Sequence, residues 1–450
     1  MSSRPTPPPA ISSFGVEALP RIAYGRGSYV YDINGKRYLD GSGGPAVYAI
    51  GHANEEINAA ISAQLSKIAH AYRYTFSSDA SEELLDIVLA RTGNIFERAI
   101  FISSGSEAVE SCLKIALQYW TAVGRPGKRR FISRRRSWHG NTLGALSVSD
   151  FKSRRASFEG SLLDVSFVSA ANTYRPAGGV ALENLVQHLA DELEAEILRV
   201  GADKVAAFIF EPVVGAAGGV VPAPAGYARA MQAVCRRHDV LMIADEVMCG
   251  SGRVGTWRAL EPDGVEPDIM SVAKGLAAGY LPLSAVLYAR HISEAIQAAH
   301  GGAQTGHTFT GHTAACAAGV AVQKLIAREK LVERVATRGA TLQEELRSAL
   351  AHIPEVGDVR GRGFFIGIEL VENPETKEPF PAEKLLHGRI GANAFERGLI
   401  VYPCTGNVDG VRGDTVIVAP PYNASEDELA EIVGTLTLAI GDAVAAARKA

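Results

Sequence analysis

The sequence predicts an α/β protein built around a mostly parallel, doubly wound sheet. The first observation is that short apolar runs, typical of buried strands, alternate with longer segments of helical period. The second is an abundance of glycine, 46 residues in all, which suits tight turns between strands and helices. The strand candidates are residues 99–103, 130–133, 206–210, 240–244, 269–272 and 285–288, and helical segments such as 182–200 and 225–238 separate most of them.

The two chain ends carry a different pattern, which predicts a smaller α+β domain. Residues 29–40 alternate around Asn34-Gly35, a pair typical of a hairpin turn, and a glycine-rich loop at 41–51 leads to a helix over 55–70. After residue 330, a long amphipathic helix (330–352) leads to an apolar run at 359–370, a polar loop, and further helix and strand candidates. We therefore expect an N-terminal arm and hairpin at 1–65 that joins the small domain, a large domain at 66–329 and a C-terminal small domain at 330–450.

Composition and charge exclude several classes of protein. The 450 residues have a net charge of −4, which argues against wholesale binding to nucleic acid or to anionic membranes. Five scattered cysteines without a CxxC pair indicate neither a disulfide framework nor a zinc site, so we expect no metal. The apolar runs are too short to span a bilayer, and residues 1–14 lack a signal core. We expect a cytoplasmic protein whose N-terminus is a loose arm.

Ser104, Gly105 and Ser106 stand directly after the strand candidate at 99–103 and open a helix. Free backbone N–H groups and a hydroxyl at a helix N-terminus suit a phosphate. The same residues also fit an ordinary serine N-cap with Glu107 in the first turn, so the residues alone leave both interpretations open. The basic segment at 128–136 is expected to be a solvated rim rather than a patch that attracts an acidic substrate.

Asp245 and Lys274 also follow apolar strand candidates. Open α/β sheets bind ligands in a crevice at the carboxyl ends of their strands, so we expect both side chains to lie in that crevice. A buried ion pair there is uncommon without a reason, because both charges lose solvation. The chemical alternative is that Lys274 holds a carbonyl cofactor as a Schiff base, while Asp245 keeps a pyridine nitrogen protonated so that the ring accepts electrons. Trp138, in the segment Trp138-His139-Gly140, could stack on a flat ring or belong to the core.

Nine motifs in order make the chain resemble the class III pyridoxal-phosphate aminotransferases, the ω-aminotransferase group of fold type I. The resemblance runs from about residue 20 to the C-terminus and implies a mostly parallel central sheet of the seven-stranded type. The motifs are LDGSGG at 39–44, SSGSEA at 103–108, WHG at 138–140, EP at 211–212, ADEV at 244–247, SVAKGL at 271–276, HTFTGH at 307–312, RGRGFFIGIEL at 360–370 and GVRGDTVIVAPP at 410–421.

The resemblance implies pyridoxal 5'-phosphate (PLP) as the cofactor, with the pyridoxamine form in the half-reaction. Lys274 would hold the cofactor and move the proton, and Asp245 would pair with the pyridinium nitrogen. The other residues implied to bind the cofactor are Ser104, Gly105, Ser106, Trp138, His139, Glu211, Val247 and Thr308.

The family likeness also implies how the substrate and a second subunit contribute. Thr308 would reach the phosphate of the neighbouring subunit, which implies a homodimer with shared active sites; a tetramer stays open. Arg412 would grip a substrate carboxylate, with Trp138 and Tyr48 beside the substrate. Where many relatives place a bulky aromatic after LDG, this chain has Ala46 and Tyr48, so Ala46 could open the pocket and Tyr48 fill it from another side.

The expected reaction is a ping-pong transamination from an amine or ω-amino acid to a keto acid, with pyruvate as the expected acceptor. Donor candidates are β-alanine, 4-aminobutyrate, other ω-amino acids, diamines and aromatic amines. A PLP-dependent isomerase, racemase or decarboxylase on the same fold is the alternative, and turnover without a keto acid would reveal it. A non-catalytic binding module is a third interpretation, disfavoured because Lys274 and Asp245 are both present.

Overall fold

The computed structural model describes residues 19–449. The arm expected at residues 1–14 lies outside the described residues. Within 19–449 the strands are β1 (Ile22–Arg26), β2 (Tyr29–Asp32), β3 (Arg37–Asp40), β4 (Arg98–Ile102), β5 (Arg130–Arg134), β6 (Val165–Val168), β7 (Val205–Phe210), β8 (Val213–Val214), β9 (Val221–Pro222), β10 (Leu241–Asp245), β11 (Ile269–Val272), β12 (Ser284–Tyr288), β13 (Val356–Arg362), β14 (Phe365–Leu370), β15 (Leu399–Ile400), β16 (Tyr402–Thr405) and β17 (Asp414–Val418).

Helices connect most of these strands, and each predicted helix is present with its ends shifted by at most a few residues. In the same described range the α-helices are α1 (Gly43–Ala46), α2 (Glu55–Lys67), α3 (Asp79–Arg91), α4 (Gly105–Ala122), α5 (Leu143–Ser147), α6 (Lys152–Arg155), α7 (Leu182–Val200), α8 (Tyr227–Arg237), α9 (Arg290–His300), α10 (Thr313–Arg328), α11 (Leu331–Leu350), α12 (Leu386–Glu396) and α13 (Glu426–Lys449).

The large sheet has seven strands in the order β4-β12-β11-β10-β7-β5-β6. The recorded pairs are parallel except those of β12, which is antiparallel to both β11 and β4. Residues along these strands mostly alternate between two apolar cores, as the two-residue period predicts. In β7, Phe208 and Phe210 face the core that contains α7 and α8, whereas Ala207 and Ile209 face the core that contains α4 and α9. The expected mostly parallel α/β sheet is therefore confirmed.

A second body combines both ends of the described chain. The four-stranded antiparallel sheet β13-β14-β17-β16 packs with α11, α12 and α13, and a second four-stranded sheet has the order β1-β2-β3-β15. The hairpin turn at Asn34-Gly35 joins β2 to β3, and β3 pairs in parallel with β15, where Leu39 lies opposite Leu399. The N-terminal hairpin thus shares a sheet with a strand that lies some way beyond residue 330.

The C-terminal helix α13 is long and apolar enough, by length and composition alone, to cross a membrane. Its buried face, which includes Leu429, Ile432, Leu436 and Ile440, packs into the core that it shares with α11 and α12. We therefore interpret α13 as a core helix.

The basic segment at 128–136 is only in part the solvated rim that the sequence suggested: Arg129 and Arg135 are exposed, whereas Lys128 and Arg134 are buried. Lys128 is buried, and its ammonium donates hydrogen bonds to the carbonyl oxygens of Ala202 and Val205 while lying 4.4 Å from the Trp120 ring centroid. Burial lowers the pKa of Lys128 to about 8. Arg134 is buried as well, beside aromatic rings of β7 and α8. The expectation was wrong for Lys128 and Arg134, because these two cations find carbonyl and aromatic partners inside the protein.

Candidate active site

The carboxyl ends of β4, β7, β10 and β11 meet at one cavity of about 360 Å³, which the loop after β5 also borders. Residues from distant parts of the chain come together there, as expected for the ligand edge of an open α/β sheet. Nine of the residues singled out from the sequence line the cavity: Ser104, Gly105, Ser106, Trp138, His139, Glu211, Asp245, Val247 and Lys274. Tyr48, Thr308 and Arg412 do not line it.

Asp245, the last residue of β10, presents a fully engaged carboxylate to the cavity. Its Oδ2 lies 2.6 Å from Nδ1 of His139, and its Oδ1 accepts hydrogen bonds from the backbone N–H of Val247 and the hydroxyl of Ser271, each at 3.0 Å. The side chain is 3% exposed. A carboxylate held by this many donors stays fixed in place, and its negative charge suits a cationic ring nitrogen.

His139 is held from two sides. Its backbone N–H donates to the Ser149 hydroxyl at 2.8 Å, and its ring contacts Asp245 through Nδ1. The other ring nitrogen, Nε2, is buried and has no hydrogen-bond partner within residues 19–449. The imidazole therefore lies beside the carboxylate with one polar atom still available to a ligand.

Lys274 lies two residues beyond the end of β11 and has a left-handed backbone conformation, with φ of 42°. Its side chain reaches the same cavity as Asp245. Loss of hydration lowers the pKa of Lys274 from its ordinary value of 10.5 to about 8, although the charges of Asp245 and Glu211 oppose the change. About a tenth of such a lysine is the neutral, nucleophilic amine at pH 7, which is far more than for an exposed lysine.

The segment after β4 caps helix α4 and also offers N–H groups to an anion, the two interpretations that the sequence left open. Ser104 is the N-cap of α4: its hydroxyl accepts from the N–H of Glu107 at 3.2 Å, and the Glu107 carboxylate accepts from the N–H of Ser104 at 3.0 Å. The capping box occupies the Ser104 hydroxyl, but the N–H groups of Gly105 and Ser106 belong to the first turn and have no intrahelical acceptor. They line the cavity and can receive an anion.

Two glycines keep this end of the cavity open. A Cβ on Gly105 would lie 2.8 Å from Cγ1 of Val247, and a Cβ on Gly140 would lie 2.6 Å from the hydroxyl oxygen of Ser106. Gly140 also has φ of 141°, which side chains rarely adopt. The glycines therefore bring the backbone close to the place where an anionic group would sit.

Glu211 shapes the wall near Trp138. Its Oε1 accepts from the backbone N–H of Trp138 at 2.9 Å, and its Oε2 accepts from the N–H of Gly215 at 2.8 Å. Burial raises the pKa of Glu211, and the nearby negative charge of Asp245 acts in the same direction. The Trp138 ring is half-buried and contacts the edge of the Phe151 ring, with 5.7 Å between centroids.

Thr308 and Arg412 lie away from the cavity of their own chain. Thr308 is exposed in the loop between α9 and α10. Arg412 lies in the loop before β17, where its Nε pairs with Asp409 at 2.7 Å and its Nη1 pairs with Glu378 at 2.5 Å. Burial of the Asp409 carboxylate acts to raise its pKa. Hydrogen bonds from Arg412 and from backbone N–H groups outweigh burial and lower the pKa to about 2. The structure thus shows Arg412 bound by two carboxylates.

The segment after the LDG motif differs from the expectation. Ala46 has φ of 63° and is buried in an apolar core rather than facing the cavity, and Tyr48 packs on His52. Val47, which the sequence reasoning missed, lines the cavity instead. The left-handed conformations of Gly43, Gly44 and Ala46 rotate the chain here, so no simple periodicity indicates which side chain faces the ligand.

Comparisons with known proteins identify one family for this chain. The profile of the aminotransferase class-III family matches residues 15–440. An uncharacterized aminotransferase of Schizosaccharomyces pombe is 41% identical over 429 residues, which cover 95% of this chain and 94% of that protein. The chloroplastic gamma-aminobutyrate transaminase 3 of Solanum lycopersicum is 36% identical over 421 residues, covering 92% of this chain and 78% of that protein.

Solved structures agree in the fold. An amine transaminase from an uncultivated Pseudomonas species, in its PLP-bound form, has a TM-score of 0.89 and 34% identity, with 99% of each chain covered. The (S)-enantioselective omega-transaminase from Thermomicrobium roseum has a TM-score of 0.88 and 36% identity, and the match covers 95% of this chain and 93% of that one. The family and the fold type expected from the motifs are confirmed.

Proposed function

The chain belongs to the class III aminotransferases, and from this membership we propose that it moves an amino group from an amine or ω-amino acid to pyruvate in two half-reactions. Members of this family use PLP. The observation that carries the proposal is the single cavity that joins the Asp245–His139 pair to a lysine with a lowered pKa. The names of relatives support both donor types, since they include a gamma-aminobutyrate transaminase and amine transaminases.

The residues of the cavity fit PLP in three places. The free N–H groups of Gly105 and Ser106 suit its phosphate, and the Asp245 carboxylate suits a protonated ring nitrogen. The third place is the Nε2 atom of His139, a buried polar atom without a partner in the described part of the chain and therefore available to a polar group of the cofactor. When bound, PLP supplies an aldehyde that links covalently to amines and a ring that withdraws electrons from the carbon beside that link.

Each residue then has a task in the proposed reaction. Asp245 holds the proton on the ring nitrogen, and His139 keeps the Asp245 carboxylate in place through the 2.6 Å contact. Nζ of Lys274 takes the proton from the amine-bearing carbon of the donor and returns it on the cofactor side, a transfer that suits a base whose pKa is near 8. Trp138 supplies an aromatic wall beside the substrate.

The proposal includes a homodimer in which Thr308 completes the partner's phosphate site. The exposure of Thr308, together with the exposed rings of Tyr74, Phe76 and Phe309, supports it, because such apolar side chains mark an interaction surface. A mixing experiment tests this arrangement. Refolding Lys274→Ala chains with Thr308→Ala chains should give activity above that of either variant alone, since one site of each mixed dimer then has both wild-type residues. No gain on mixing would contradict a shared site.

We also place the protein in the cytoplasm as part of the proposal. All five cysteines are free and buried in the described structure, which fits a reducing compartment.

A donor screen tests the reaction itself. Purified PLP-loaded protein is mixed with β-alanine, 4-aminobutyrate, diamines or 1-phenylethylamine, and conversion to the pyridoxamine form is followed by its absorbance. Adding pyruvate should restore the PLP form and yield one alanine for each pyruvate consumed. Turnover of an amino acid without any keto acid would contradict transamination and would favour an isomerase, racemase or decarboxylase.

A further inference from the structure

Arg154, in the short helix α6, lies against the aromatic wall of the cavity. Its guanidinium carbon is 5.4 Å from the centroid of the Trp138 ring and 5.8 Å from that of the Phe151 ring. Trp138 lines the cavity, and its ring meets the Phe151 ring edge to face. A guanidinium stacked on indole is held in place without losing its hydrogen-bond donors.

The charge of Arg154 is uncompensated at this place. No carboxylate within residues 19–449 forms an ion pair with Arg154, and its guanidinium donates no hydrogen bond to the described part of the chain. The neighbouring arginines are engaged: Arg136 pairs with Asp150, and Arg155 pairs with Glu159. Unlike Arg136 and Arg155, Arg154 therefore has guanidinium N–H groups available to a ligand.

Arg154 and Lys274 both act electrostatically on the buried thiol of Cys404. Burial raises the pKa of the Cys404 thiol to about 12, and the positive charges of Arg154 and Lys274 both act against that rise. Cys404 belongs to the same apolar cluster as Ala216 and Met248, two residues that line the cavity. The charge of Arg154 thus reaches a thiol that packs beside the cavity wall.

We propose that Arg154, rather than Arg412, binds the carboxylate of keto acids and of ω-amino acids. The proposal rests on the proposed function, because it names the group that recognises the acid end of that reaction's substrates. A guanidinium presents two parallel N–H donors to a carboxylate, and the Trp138 ring orients them. Arg412 would first have to leave Asp409 and Glu378, whereas Arg154 has no such contact to break.

The experiment compares substrates that differ only in the carboxylate. With PLP-loaded Arg154→Gln protein, the KM for pyruvate and for 4-aminobutyrate should rise about tenfold, the expected range for losing one charged hydrogen-bond pair at a partly exposed site. The KM for butylamine, which has the same chain length without the acid, should stay unchanged, and so should kcat. Arg154→Lys should recover part of the loss. Arg129→Gln, which removes an exposed guanidinium far from Trp138, is the matched control.

Two results would overturn the proposal. One is an unchanged KM for both acids in Arg154→Gln, and the other is a rise that occurs only in Arg412→Gln. Titration calorimetry with propionate, an unreactive acid, keeps the inference separate from the proposed function. Weaker propionate binding to Arg154→Gln supports the site even if neither donor reacts, whereas equal affinity in wild-type and variant protein rejects it.

Discussion

Nδ1 of His139 lies 2.6 Å from Oδ2 of Asp245, and both side chains are buried at the floor of the cavity. The contact joins the loop after β5 to the end of β10, two strands on either side of β7. Because the second oxygen of Asp245 is held by Val247 and Ser271, the carboxylate cannot turn toward another partner without losing several hydrogen bonds. Its negative charge is therefore presented in one fixed direction.

Replacing Asp245 by Asn should lower kcat by at least about 100-fold, a typical cost of removing one preorganised electrostatic contact. The amide keeps the shape of the carboxylate but carries no charge to hold a proton on a ring nitrogen. Steady-state kinetics with the best donor and pyruvate measure the effect. Ser271→Ala is the control: it removes one donor to the same carboxylate and should cost less than about tenfold. Equal losses in the two variants would contradict the role of the charge.

Replacing Lys274 by Ala should remove both turnover and the visible absorbance of the covalently held cofactor, because the variant lacks the amine that forms the link. The measurement is an absorbance spectrum after PLP loading and gel filtration, followed by an activity assay. Lys114→Ala, an exposed lysine on α4, should behave like the wild-type protein. Wild-type absorbance in Lys274→Ala would show that another amine holds the cofactor.

The rate at which apo-protein takes up PLP should increase with pH and reach half its maximum near pH 8. The neutral amine of Lys274 is the reactive form, and burial lowers its pKa to about 8. Stopped-flow absorbance between pH 6.5 and 9.5 measures the rate. A midpoint near 10.5, the ordinary value for a lysine, would show that the cavity does not perturb Lys274.

Gly105→Ala should weaken PLP binding about tenfold, because the added Cβ would lie 2.8 Å from Val247 at the proposed phosphate site. Fluorescence titration of apo-protein gives the dissociation constant. Gly160→Ala is a suitable control, since a Cβ there meets no atom within 4 Å. If both variants bind PLP as tightly as the wild-type protein, the close approach at Gly105 does not matter for binding.

His312→Asn should reduce the loss of thermal stability on acidification. Nδ1 of His312 accepts the N–H of Ala315 as the N-cap of α10, so the ring must be unprotonated there, and the ring stacks on that of His70. Burial and the neighbouring His70 lower the pKa of His312. Between that lowered pKa and the ordinary 6.5, the unfolded chain binds more protons, so the free energy of unfolding falls as the pH falls.

An asparagine caps the helix without titrating, which removes this contribution. The difference in Tm between pH 7.5 and pH 5.5 should therefore be smaller for His312→Asn than for the wild-type protein. His352→Asn, at an exposed position just beyond α11, is the matched control. Equal pH dependence in all three proteins would show that His312 does not contribute.

The sequence predicted those site residues whose positions are set by the ends of strands. Asp245 and Lys274 follow buried runs on neighbouring strands, so the topology alone brings them together. Val47 could not be predicted, because its direction depends on left-handed residues before it. The burial of Lys128 and the ion pairs of Arg412 depend on partners far away in the chain, such as Val205 and Glu378, which local pattern does not reveal.

The antiparallel strand β12 has a consequence for how the protein folds. Within residues 19–449, β4 pairs only with β12, and Ser284 at the start of β12 donates a hydrogen bond to the carbonyl oxygen of Ser104, 180 positions earlier in the chain. During synthesis, the turn after β4, which is the proposed phosphate site, therefore cannot complete its edge of the sheet until β12 has emerged. Such long-range pairing is slow to form. A cofactor held at this turn would stabilise the native state as a whole, since a ligand that binds only the native state shifts the folding equilibrium toward it.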